Sequence, residues 1–174
     1  MRIPTRMLCE NIISFRSQHG CDTTISTLPY WLYLCQTEYA RTTGKELCDA
    51  TFEATTGGIV CPQANRIYYS RTGERNLSAV ASPYKIGEPV RAVLERVHRK
   101  YGWMLTFDLV TYCTEQGSAY RKVLEREHDK TIRVWDILAS TDGARLPDYE
   151  RSLARSARDV EHQFKNTLSL LADD

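Results

Sequence analysis

The stretch GKELCDATFEATTGGIV, residues 44–60, places three acids, a cysteine and a glycine pair between two apolar helical patterns. Its reading decides whether the chain is a catalytic loop on a scaffold or a helical protein with a tight internal turn. Thr51, Phe52, Thr55 and Thr56 favour extended backbone, and Gly57-Gly58 opens conformations closed to other residues, so a short strand or hairpin is expected near residues 50–60. A phosphate-binding loop needs lysine and then serine or threonine directly after its last glycine, and here Ile59 and Val60 follow. Glu46, Asp49 and Glu53 lack the alternating oxygen ligands and internal glycine of a calcium loop, so they read as solvated acids at a turn. Gly44, Gly57, Gly58 and Pro62 are then the residues of a structural hinge.

On either side the apolar spacing is helical. Met7, Leu8, Ile12 and Phe15 predict a first helix stopped at His19-Gly20. A second helix is expected from Leu28 to about Thr42, with Ser26 or Thr27 as its cap, Pro29 in its first turn and Gly44 ending it in a left-handed turn. Pro62 starts a helix carrying Ile67, Tyr68 and Tyr69, and the polar run over residues 71–89 reads as a flexible loop. Val90, Val93, Leu94 and Val97 form a stripe ending at Tyr101-Gly102, Leu105 to Cys113 suggests a further helix broken at Gly117, and Tyr120 to Glu127 another. IRVWDIL, residues 132–138, fits a strand or a short helix. Tyr149, Leu153, Ala157, Val160, Phe164, Leu168 and Leu171 step by three or four, which predicts a long amphipathic C-terminal helix. The fold class is therefore mainly α: a compact single helical domain over residues 1–145, and a terminal helix over 146–174 packed on that domain or on a partner.

Composition limits what this chain can do. With 23 basic and 22 acidic residues the net charge is +1, so no broad field gathers phosphates and nucleic acid is a disfavoured partner, although Arg151, Arg155 and Arg158 could touch a backbone. No apolar run reaches the roughly 20 residues that span a bilayer, and MRIPTRMLCENIIS lacks the pattern of a signal peptide, so no membrane partner and a cytoplasmic location are expected. None of the six cysteines stands in a C-x-x-C pair and no two histidines have zinc-site spacing; no metal and no cofactor is expected. Cys48 or Cys61 as nucleophile with His98 as base would make a cysteine hydrolase, but buried thiols and a surface histidine explain all three without a reaction. Tyr30, Trp31, Tyr33 and Tyr39 cluster on the second helix, either as core or as a face that anchors a partner.

From Leu32 to Pro62 the sequence LYLCQTEYARTTGKELCDATFEATTGGIVCP resembles the Panacea domain, a family of small antitoxins found beside diverse toxins and in prophages. Leu32, Tyr33, Gln36, Thr43, Gly44, Lys45, Leu47, Asp49, Glu53, Ala54, Gly58, Val60 and Pro62 fall on its signature, and EPVRAVLERVHRKYGWMLTFDLVTYCTEQGSAYRKV is similar to its second half, so the resemblance spans most of residues 28–125. Thr55, Ile59, Tyr120 and Pro29-Tyr30 depart from the family pattern, which marks a divergent member. The resemblance implies a helical bacterial protein without enzymatic activity that neutralises a cognate protein toxin by direct binding. Tyr30, Tyr33, Tyr39 and Arg41 on the second helix, or Arg71, Arg75 and Tyr84 in the loop, would be its partner-binding residues. Two rival readings remain: an adaptor that delivers the toxin to a cellular protease, and a phage-encoded inhibitor of a host defence system.

Overall fold

The computed structural model describes residues 2–72, 77 and 87–172, the side chains of 69–72 and 166–172 excepted. The described residues form α1 (Thr5–Gln18), α2 (Leu28–Thr43), β1 (Phe52–Thr55), β2 (Gly58–Val60), α3 (Pro62–Thr72), α4 (Glu88–Tyr101), α5 (Thr106–Thr114), α6 (Ala119–Leu124), β3 (Thr131–Ile132), α7 (Val134–Leu138), a 3-10 turn (Tyr149–Arg151) and α8 (Leu153–Ala172). The fold is mainly α, with one small antiparallel sheet in the order β2-β1-β3.

Helix α2 is the axis around which the rest is built. Every residue from Leu28 to Glu38 is buried, and the helix packs against α1, α4, α5, α7 and β2. A helix apolar or aromatic on all sides must be surrounded, because no face can be left to water. Tyr33 is 0% exposed and its hydroxyl donates to Asp142 Oδ2 at 2.6 Å; Tyr30 is 5% exposed. Tyr39 is partly buried against the same core. The aromatic cluster of this helix is core, and its reading as a partner face is corrected for Tyr30 and Tyr33. Gly44 (φ +68°) ends the helix as expected, its N–H donating to Ala40 O at 2.7 Å. Thr27, by contrast, does not cap the helix start; it has helical backbone angles, and its hydroxyl accepts from Thr24 N instead.

A polar layer ties the helices together. Glu38 Oε1, buried on α2, accepts from Lys100 Nζ and from the Tyr101 hydroxyl, both at 2.7 Å, which locks α4 onto α2. Asp142 Oδ2 accepts from Tyr33 and from Ala119 N at 2.8 Å, so one carboxylate holds α2 and the start of α6 together. Burial pushes the Asp142 carboxyl above the usual carboxylate range, and these donors pull the other way.

The stretch 44–60 is pinned along its length by the rest of the fold. Asp49 Oδ1 accepts from Thr5 N and Thr5 Oγ1, both at 2.6 Å, and so satisfies an orphan donor at the start of α1. Ile3 and Cys48 form a parallel bridge, and Gln36 Oε1 accepts from Leu47 N at 2.9 Å. Asp49 is therefore a structural acid and not a solvated one, while Glu46 pairs with Arg2 at 2.6 Å. Thr55 and Gly58 pair across a tight hairpin turn whose second strand leads directly into α3 at Pro62. These bonds make Gly44, Gly57, Gly58 and Pro62 fixed turn points.

IRVWDIL resolves into both of its readings. Ile132 pairs with Phe52 as the third strand, and Arg133 breaks to start α7, whose Asp136 side chain accepts from the Arg133 N–H at 2.9 Å. The residues 71–89 lie largely outside the described ones, Arg75 and Tyr84 among them; Leu77 is buried, its N–H donating to Thr23 O at 2.9 Å.

Candidate functional site

With the second helix buried, exposed apolar side chains remain at Leu105, Phe107 and Leu146 and on two further surfaces of the described residues. The first surrounds a cleft of about 300 Å³ between the segment 46–52 and the β3–α7 junction, bordered by Arg2, Glu46, Asp49, Phe52, Arg133 and Trp135. One wall is the stretch pinned by Gln36 and Asp49; the other is set by the strand-to-helix break at Arg133. Trp135 is 59% exposed at its mouth, with the Arg133 guanidinium 4.9 Å from the centre of the indole. Leu138, one turn further along α7, is also exposed, while Ile137 turns into the core.

The charges of this cleft are matched within the chain. Arg2 pairs with Glu46, and Arg133 Nη2 donates to Asp129 Oδ2 at 2.9 Å. Such a surface presents a planar aromatic and a stacked guanidinium without a strong net field. Tryptophan and arginine are the side chains that most often dominate protein interfaces, because each buries a large area and still offers directional donors. Sequence reasoning passed over both residues. The signal was a tryptophan two places after the break, on a five-residue helix whose inward positions are Asp136 and Ile137.

The second surface is α8. Asp108 fixes its base, its carboxylate accepting from Leu153 N at 2.6 Å and Ala154 N at 3.0 Å, and Trp103 packs edge-on against Tyr149 with ring centres 5.1 Å apart. Every residue from Ser156 to Lys165 is exposed, with Ala157, Arg158 and Glu161 bordering an open hollow shared with Trp103 and Leu105.

The predicted partner residues separate. Arg41 is committed to the chain itself, donating to the carbonyls of Ile137, Leu138, Ser140 and Asp142, so it is a staple between α2 and the segment after α7. Arg71 lies in α3 with its side chain outside the described ones. Arg155 on α8 pairs with Glu150 and Asp159, and Arg151 in the preceding 3-10 turn with Asp148, so two of the three arginines named for phosphate contact are matched within the chain.

The groups of the hydrolase reading do not converge. Cys48 and Cys61 are buried, and burial pushes the Cys48 thiol up to about 12 and raises that of Cys61, so neither is a ready thiolate. His98 makes its ring contacts with His19, at 4.5 Å, and with Phe15. Burial lowers the His98 pKa, with His19 and Arg16 adding to the effect, and its Nδ1 has no partner among the described residues. A histidine whose folded pKa lies below its unfolded value of about 6.5 costs nothing above that pH and weakens the fold as pH falls through it, because the unfolded chain takes up the proton first. Thermal melts taken from pH 7 down to pH 5 should therefore show the wild type falling progressively below His98→Gln; parallel curves would remove this histidine pair from the acid response.

Among the described residues no three histidine, cysteine or acidic side chains are grouped to hold a metal ion, and no helix is long and apolar enough to cross a membrane. Compared with known proteins, the chain matches no family model, no curated protein and no solved structure.

Proposed function

We propose that this chain is a cytoplasmic antitoxin of the Panacea type, which neutralises a cognate protein toxin by direct binding and carries out no chemistry of its own. The observation that supports it best is Trp135, exposed at the mouth of a charge-matched cleft with Arg133 stacked on it. The stretch that resembles the family supplies the opposite wall, and its signature residues Gln36 and Asp49 hold that wall in place. A surface of this kind recognises shape, and the toxin would bring a pocket that takes the indole.

Co-expression with the product of the neighbouring reading frame tests the reading. The wild type should restore growth, and Trp135→Ala should weaken binding of the purified toxin by about thirtyfold, the loss expected of an interface anchor. Toxin lifetime should stay constant; a shortened lifetime would replace direct inhibition by delivery to a protease. Toxicity unrelieved by the intact chain would sink the proposal.

A further inference from the structure

Helix α8 is 20 residues long, about 30 Å, and of its described side chains those from Ser156 to Lys165 are all exposed. Helices in proteins owe most of their stability to burial of an amphipathic face. That stripe is uncovered: Leu153 is 47%, Val160 55% and Phe164 46% exposed, with Ala157 between them. The spacing of 4, 3 and 4 residues is the alternation of a coiled-coil seam, and Leu168 and Leu171 prolong the apolar series in the sequence.

The borders of the stripe show what it fits. At about 100° per residue, Arg158, Glu161 and Lys165 fall along one side of the stripe, where with His162 they line one shallow hollow, and Ser156, Asp159 and Gln163 fall along the other, Asp159 paired with Arg155. In a pair of antiparallel helices like borders meet. Glu161 lies between two cations, so a reversed copy brings it opposite Arg158 or Lys165 of its mate. In a parallel pair that side would face Ser156, Gln163 and Asp159, whose carboxylate is already paired with Arg155.

We infer that α8 is a homodimerisation helix, its Leu153–Phe164 stripe covered by the same stripe of a second copy running in the opposite direction. This needs no toxin and leaves the Trp135 cleft free for one.

Sedimentation equilibrium on the full chain is the direct test. The expected species has twice the 20.0 kDa chain mass. Val160→Asp with Phe164→Asp should give a monomer with the far-UV spectrum of the helical domain kept, raising the dissociation constant about a hundredfold or more, since charges cannot stay in an apolar seam. Glu161→Lys makes one border wholly basic, and Arg158→Glu with Lys165→Glu makes it wholly acidic. Each variant alone should dimerise weakly, and an equimolar mixture should regain the wild-type association, a recovery that only like-border pairing predicts. A wild-type monomer at millimolar concentration, a dimer indifferent to the seam variants, or a mixture no tighter than its components overturns the inference. So does a monomeric chain that floats with phosphatidylglycerol vesicles, because the stripe would then be covered by lipid.

Discussion

Gly58→Ala should destabilise the chain by about 3 to 5 kcal/mol. Two costs add. Gly58 has φ +118°, a backbone angle that L side chains rarely adopt and that strains a non-glycine residue by about 1 to 3 kcal/mol. A Cβ built there would also lie 2.0 Å from the Tyr30 hydroxyl oxygen, on a buried side chain of the central helix. To make room, Tyr30 must leave its place or β2 must lift off α2, and either change opens the core. Urea melts give the size of the effect, and the double variant Tyr30→Phe, Gly58→Ala separates its parts. Removing the hydroxyl should recover the steric share and leave the backbone share. A Gly58→Ala chain as stable as the wild type would mean that the hairpin does not close on α2 as described.

Arg41→Ala should cost about 3 kcal/mol, and Arg41→Lys should recover less than half of it. The guanidinium donates to four carbonyls of one short segment: Asp142 O at 2.7 Å, Leu138 O at 3.1 Å, Ile137 O at 2.8 Å and Ser140 O at 2.6 Å. Hydrogen bonds to a charged donor contribute about 1.5 to 3 kcal/mol each when buried, but three of these are part-buried and the one to Leu138 O is exposed, so the four together contribute far less than four times that amount. An ammonium group cannot span four acceptors in a plane, so the lysine variant keeps the charge and loses the fork. Loosening this segment also frees Asp142, which orients Tyr33 and the first turn of α6. Amide exchange should accordingly accelerate over residues 137–145 and at Ala119 in the alanine variant. Unchanged protection there would show that the four carbonyls hold without the arginine.

The expectations met and those corrected divide along a physical line. The stop at Gly44, the start of α3 at Pro62, the stripe of α4 and the turn at Gly57-Gly58 came from local chemistry: ring geometry, the missing Cβ and a repeat near 3.6 residues. Each of these acts within a few neighbours along the chain. Asp49 as a cap for α1 was not legible, because its partner Thr5 lies 44 residues away. The split of IRVWDIL was not legible either, since the strand exists only where Phe52 comes alongside Ile132.

The candidate site was the least legible part. A tyrosine or arginine that meets a partner and one that ties the chain to itself have the same letter, and only the count of surrounding elements separates them. Tyr33 and Arg41 proved to be internal ties, whereas Trp135 and the α8 stripe, which periodicity alone would assign to the core, are open to solvent.

What the sequence determined by itself was the mainly helical class, the order of the elements, the balanced charge and the amphipathic terminal helix, because propensity and period are properties of short segments. Tertiary structure alone decided which apolar faces are covered. Burial is set by how many other elements pack around a face: five enclose α2, whereas the residues of α8 from Ser156 to Lys165 are all exposed.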